Sequence, residues 1–346
     1  MDLLRDGLQA LKKYLASVPS LEVEEMNWGG NQNNRPGQSL RVRLPGGEQL
    51  LALEIKGNGQ PRYARQAADR LFRLTNQQPQ VYGIFIAPYI SPVAAEICTQ
   101  ANIGYADLSG NCRLAFQQIF ILRENQPNRY ITKKELASLF APKSERILRV
   151  LLTFPYRSWK TTTLANAARV SLGMVSHVKK QLSEREWVRS EADGFVLTAP
   201  FDLLQTWSEN YSFRNNKRFE YYTIQSPADF DTSLADYCTR AGIEYALTGF
   251  SASARLAPAV RYQRAMAYVQ GDIPALAAEL RLKVVTSGSN VNLLSPYDEG
   301  VFFGASSVDG IQVASQIQVY LDLKNYRGRG EEAAEYLFNQ VIKPLW

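Results

Sequence analysis

A single histidine, His177, and three cysteines are all that this 346-residue chain offers for imidazole or soft-metal chemistry. A tetrahedral zinc site needs four Cys/His ligands at local spacing. Cys98, Cys112 and Cys238 lie far apart and form no Cys-x-x-Cys pair, so a Cys/His zinc site is nearly excluded. Three buried structural thiols are expected instead. The lone histidine also removes most acid–base mechanisms that depend on imidazole. No apolar run approaches the ~18 residues of a membrane span, so none is expected. The start, Met1-Asp2-Leu3-Leu4-Arg5-Asp6, carries charge where a signal peptide needs an apolar core. The expected location is therefore the cytoplasm. With 45% apolar and 21% charged residues, the composition is that of an ordinary globular protein. The length suits two or three domains.

The net charge of +6 is unevenly spread. Residues 129–218 hold sixteen lysines and arginines against eight acids, an excess of +8, and the rest is slightly acidic. A local basic excess on a small domain is the footprint of a phosphate-backbone binder. Three blocks follow from the patterning: 1–128, 129–215 and 216–346. In the first, residues 2–16 form an amphipathic helix with Leu3, Leu4, Leu8, Leu11 and Leu15 on one face. The Gly/Asn-rich stretch 29–37 is a loop. Strands are expected at Ser39–Leu44, Leu50–Ile55, Val81–Ala87 and Leu114–Leu122, and helices at Arg62–Leu74 and Ser91–Ala101. This is an α/β domain around a central sheet. Polar Glu124–Asn128 is the linker, and Asp107 or Asn111 is expected to bond backbone groups in a turn.

The middle block reads as helical from about 132 to 184 and strand-like to 200. Ser144 is the expected N-cap of a first helix, and Thr161–Ala168 is a short second one. Arg169-Val170 is the turn, and Ser171 caps a third helix, Leu172–Leu182. Val175, Val178 and Leu182 recur at spacings of three and four and face the core. Gly173, Met174, Ser176, His177 and Lys180 then face outward, a small, polar and basic surface suited to a major groove. Trp187–Thr198, with Asp193-Gly194 inside it, is a hairpin. Three helices followed by a hairpin resemble a winged helix-turn-helix. On that reading Ser171 and Thr161, Thr162 and Thr163 anchor helix N-termini at phosphates. Ser176, His177 and Lys180, beside Met174, approach base edges, and Arg157, Lys160, Lys179 and Arg189 meet the backbone. A winged helix used only to bind protein is the competing reading.

Glu54-Ile55-Lys56, an acid-x-Lys strand end, resembles the restriction-endonuclease-like fold. The resemblance implies a carboxylate holding Mg²⁺, a lysine positioning water, and Gln66 on the next helix facing the same site. The preceding strand lacks the second acid such sites need, although Glu22, Glu24 and Glu25 lie upstream. The bland alternative is that Glu54 and Lys56 pair on an exposed strand face. No cofactor is expected unless the nuclease reading holds, in which case it is Mg²⁺.

In the last block, Tyr245–Leu256 is a strand, a small-residue turn around Gly249-Phe250-Ser251 and a helix start. It is similar to the first motif of minimal nucleotidyltransferases, without the Asp-x-Asp that should follow. Asp322, Arg327 and Arg329 are candidates for a partner surface, and Gly328 and Gly330 for the turn into the last helix. Glu-x-Lys-Gly, Tyr105-Ala106-Asp107-Leu108-Ser109-Gly110-Asn111, the basic middle block and Thr248-Gly249-Phe250-Ser251-Ala252 together resemble longer relatives of the AbiEi-type antitoxins. That likeness implies an autorepressor that binds its own promoter and opposes a nucleotidyltransferase-type toxin. The fold expected overall is multidomain α/β and α+β: a restriction-endonuclease-like domain, a winged helix-turn-helix and a nucleotidyltransferase-like domain. Three readings stand: a double-stranded-DNA-binding regulator, in which a homodimer would suit a palindromic site; a Mg²⁺-dependent endonuclease targeted by its winged helix; and a protein-binding scaffold.

Overall fold

The computed structural model describes residues 2–26, 38–130, 139–257, 262–326 and 329–346. The expected loop at 29–37 and residues Arg327 and Gly328 lie outside them. The chain forms two compact units, Met1–Glu135 with Gln181–Glu186, and Leu136–Lys180 with Trp187–Trp346.

The first unit is built on one seven-stranded sheet: β1 (Glu22–Met26), β2 (Gln38–Leu44), β3 (Gly47–Ile55), β4 (Val81–Ala87), β5 (Gly104–Asp107), β6 (Cys112–Phe116) and β7 (Ile119–Arg123). The strands lie side by side in chain order. β3, β4 and β5 run parallel, joined through helices α2 (Pro61–Gln77) and α3 (Pro92–Gln100), and the outer pairs are antiparallel. Strand side chains alternate faces, and two cores result. Leu51, Leu53, Ile84 and Ile86 pack with Leu8, Leu11 and Leu15 of α1 (Leu3–Leu15). Ala52, Phe85 and Ala87 pack under the alanines and leucines of α2 and α3. Leu4, expected on the same stripe, stays exposed in the first turn of α1.

Two elements differ from the sequence expectation. The apolar stretch 114–122 is a hairpin of β6 and β7 turning through Gln117-Gln118, because Gln117 takes a left-handed φ of +47°. β1 carries no apolar signal and forms because Val23 alone faces inward, while Glu22, Glu24 and Glu25 remain in water. The expected turn around Asp107 is present. Its carboxylate accepts from the N–H groups of Ser109, Gly110, Asn111 and Ile90 and from the Asn111 amide, all at 2.8–3.1 Å.

The second unit opens with α4 (Pro142–Thr153), α5 (Thr161–Ala167) and α6 (Leu172–Glu184), the last up to Lys180. The hairpin of β8 (Val188–Glu191) and β9 (Gly194–Leu197) follows. α4 starts on Pro142 with Ala141 as its cap, so Ser144 is not the N-cap; it sits buried in the first turn with its hydroxyl on the Met174 sulfur. Proline at the first helical position fixes the start without a side-chain cap. The hairpin turns through Ala192-Asp193, one residue before the expected Asp-Gly. Gly194 is already in β9, where a Cβ would stand 2.4 Å from the Trp159 carbonyl oxygen. That close approach makes the Trp159–Phe195 bridge, a third strand position on the hairpin. α7 (Pro200–Asn210) comes next, a helix that the strand-like reading ending at 200 does not contain.

The rest of this unit is a second seven-stranded sheet, ordered β13-β10-β14-β12-β11-β16-β15. It comprises β10 (Lys217–Tyr222), β11 (Tyr245–Leu247), β12 (Ala265–Val269), β13 (Lys283–Val284), β14 (Val291–Ser295), β15 (Ser306–Val308) and β16 (Ile311–Val313). Helices α8 (Pro227–Ala241), α9 (Gly249–Leu256), α10 (Ile273–Glu279), α11 (Gln316–Lys324) and α12 (Arg329–Leu337) intervene or follow. A buried polar network joins α4 to this sheet. Arg149 donates to Glu145 at 3.4 Å and to Gln318 at 2.6 Å. Glu145 also accepts from Trp207 and Tyr297. Burial opposes the Arg149 charge, and Glu145 with Tyr297 and Tyr211 more than offsets that, leaving its pKa raised.

Asp322 ends this network. It is fully buried, accepting from Tyr211, Tyr268, Gln318 and Thr248. It therefore belongs neither to a partner surface nor to a helix-flanking charge. Gly330 likewise is not in a turn: it lies in the first turn of α12, where a Cβ would meet the Leu323 carbonyl at 2.5 Å.

Candidate nucleic-acid interface

α6 is amphipathic in the way its spacing requires. Val175, Val178 and Leu182 are fully buried, while Gly173, Ser176, His177 and Lys180 are exposed and Met174 is half-buried. The Ser171 hydroxyl accepts from the Met174 N–H at 3.3 Å and fixes the start of the helix. The preceding turn holds Arg169 at a left-handed φ of +52°, which leaves its side chain in water. Arg169 lines a cavity of about 240 Å³ together with Arg146, Glu244 and Glu299.

Of the expected cations, Arg157, Lys160, Lys180 and Arg189 are exposed and Lys179 is half-buried. The Arg157 guanidinium lies 4.2 Å over the Trp159 ring, and Lys179 sits 5.0 Å over Phe195. These stacks hold long side chains on the hairpin without neutralising them. Lys160, the residue before α5, stands 3.8 Å from the exposed Asp193, and Arg189 3.4 Å from Glu191. Such exposed pairs are worth ~0–1 kcal/mol and yield readily to a phosphate. Thr161, Thr162 and Thr163 form the first turn of α5, whose N-terminus no side chain caps. Arg146 and Arg149 do not join this surface: Arg146 forks onto Asp298 at 2.8 Å and reaches Glu299, and Arg149 is buried. The structure thus divides the basic excess into internal fasteners and an external set.

The acid-x-Lys strand has a different geometry from the expected one. Glu54 is buried rather than on an exposed face, and pairs with both Lys56 at 2.8 Å and Arg70 of α2 at 3.2 Å. Gln66 is exposed and makes no hydrogen bond with either partner. The strand register sets Glu22, Glu24 and Glu25 alongside residues 48–51, away from Glu54, where Glu24 meets Arg43 and Glu25 meets Lys12. Mg²⁺ needs several hard oxygen ligands. Among the described residues, no group of three or more His, Cys, Asp or Glu side chains could hold a metal. One carboxylate already engaged by two cations does not fit that ion. The three cysteines are buried and unpaired, as expected, and no described helix is long and apolar enough to cross a membrane.

Comparison with known proteins adds to this geometry. Residues 196–343 match the family model described as "Transcriptional regulator, AbiEi antitoxin, Type IV TA system". The likeness to AbiEi-type antitoxins read from the sequence is borne out over that segment, which begins within β9 and takes in the second sheet. Two solved structures are similar to parts of the chain. EndoMS in apo form is 13% identical with a TM-score of 0.21, over 29% of this chain and 45% of its own. The EndoMS–dsDNA2 complex is 16% identical with a TM-score of 0.21, over 30% and 44%. The chain thus spans less than half the length of either. No curated protein matches.

Proposed function

We propose that the protein is a double-stranded-DNA-binding transcriptional regulator, the autorepressing antitoxin of a type IV toxin–antitoxin pair. Residues 129–215 act as its winged helix-turn-helix, with α6 entering the major groove and the β8–β9 hairpin as the wing. The observation that carries this is the outer face of α6. Gly173, Ser176, His177 and Lys180 are exposed on one helix, and in the same block Arg157, Lys160 and Arg189 are exposed and Lys179 is half-buried. Small residues let the helix approach base edges, and the surrounding cations fix its register on phosphates. Residues 1–128 serve as a degenerate restriction-endonuclease-like domain, and residues 216–346, nucleotidyltransferase-like in fold, bind a cognate toxin. The site of action is the cytoplasm, and a homodimer reads a palindromic operator.

Genomic duplex fragments retained by the protein identify the site, and fluorescence anisotropy against a random duplex then gives the specificity ratio. Lys160→Ala combined with Lys180→Ala should weaken binding and reduce the slope of log affinity against log salt by roughly 1 to 2. An unchanged affinity together with an unchanged slope overturns the assignment.

A further inference from the structure

Helix α9 starts on Gly249, which holds a φ of +52° and where a Cβ would stand 2.6 Å from the Met266 sulfur. Only glycine suits both demands. The turn sets the half-buried Phe250 on the wall of a cavity of about 300 Å³. Tyr326 forms the adjoining wall: its ring lies 5.6 Å from Phe250, and Phe213 packs against it at 5.6 Å. Tyr262 adds a third ring. Its hydroxyl donates to Asp231 at 2.7 Å, and Asp231 also accepts from Ser251 at 3.0 Å. Ser251 in turn accepts from the Met266 N–H, so this side of the cavity is anchored to the sheet.

The polar lining is cationic. Arg264 and Arg329 face the cavity with Gln263 and Ser289, and neither arginine pairs with a carboxylate among the described residues. No described acid lines it. Planar rings suit a flat heteroaromatic ring, and two unpaired guanidinium groups suit a phosphate. The volume is at the lower end of ligand pockets, which run from ~300 to 1,000 Å³. We propose that this cavity binds one mononucleotide, its base against Phe250 and Tyr326 and its phosphate on Arg264 and Arg329. Without carboxylates to hold metal ions the site binds the nucleotide and does not transfer it.

The proposal is independent of DNA binding by α6 and is tested without DNA. Isothermal titration of the full chain with AMP, GMP, CMP and UMP is compared with inorganic phosphate, the matching nucleosides and a 5′-phosphorylated oligonucleotide. At least one mononucleotide should saturate with a Kd at or below about 1 mM and bind at least about tenfold tighter than phosphate or nucleoside. Arg264→Gln and Arg329→Gln, both exposed and tolerable to the fold, should each weaken it about tenfold or more. Phe250→Ala should weaken it without altering phosphate binding. Failure of all four nucleotides to saturate, phosphate binding as tightly, the oligonucleotide binding where mononucleotides do not, or indifference to both arginine substitutions overturns the proposal.

Discussion

Asp322→Asn removes a charge at constant shape, and the surroundings of that carboxylate dictate the result. Its oxygens take hydroxyls from Thr248, Tyr211 and Tyr268 and the Gln318 amide, and it forms no ion pair with a described cation. Burial pushes its pKa from 3.8 to about 6, against the pull of those four donors. The folded state therefore holds the proton more tightly than the unfolded chain. Stability from this group is fully present below pH 3.8 and is lost as pH rises to about 6. A shift of roughly 2 units corresponds to about 3 kcal/mol, of which about 2 kcal/mol falls between pH 4.5 and 7.5. An asparagine cannot titrate, so the variant lacks this component. Its amide also presents donors to donors, and the variant should be about 1–3 kcal/mol less stable at pH 4.5. The gap should close toward pH 7.5. Asp231, also raised to about 6 by burial, remains in both proteins and cancels. Urea unfolding followed by tryptophan fluorescence measures it, because four of the five tryptophans, Trp159, Trp187, Trp207 and Trp346, belong to the second unit. Parallel pH profiles for the two proteins, within about 0.5 kcal/mol, would refute the reasoning.

Gly194→Ala drives a Cβ into the Trp159 carbonyl, and should cost about 1–3 kcal/mol, which thermal unfolding measures. Arg149→Met leaves Glu145 buried without its cation and should cost about 3–5 kcal/mol, with Glu145→Leu added in the same chain restoring much of it. Burial pushes Cys98 up to about 12 and Cys112 and Cys238 to about 11, so native protein at pH 8 should react negligibly with a thiol reagent. All three should react once denaturant is added, and rapid native labelling would contradict their burial.

Periodicity made α6 legible, since Val175, Val178 and Leu182 can be buried together only on a helix that turns Ser176, His177 and Lys180 outward. The strands β3 and β4 were readable for a similar reason: each must feed two cores. β1 was not, because an edge strand with one inward valine leaves no pattern. Ser144 misled because a serine ahead of an apolar stripe looks like a cap, and only the register of Pro142 decides the start. Asp322 was unreadable as a core residue, since its four donors come from Tyr211, Thr248, Tyr268 and Gln318, which are brought together only by the fold. Glu54 and Lys56 were correctly paired, but Arg70, sixteen residues downstream of Glu54, arrives through the packing of α2 on the sheet.

The two sheets make opposite demands on a chain still being synthesised. In the first, each strand settles beside the one made just before it, so the layer can grow edgewise as residues emerge, closing only short loops. In the second, β14 inserts between β10 and β12, and β16 docks on β11, made some sixty residues earlier. Its middle therefore stays incomplete until β14, ending at Ser295, has emerged, and its far side until β16, ending at Val313. A chain released before β14 is made would carry an intact amino-terminal layer attached to an open, adhesive half-sheet.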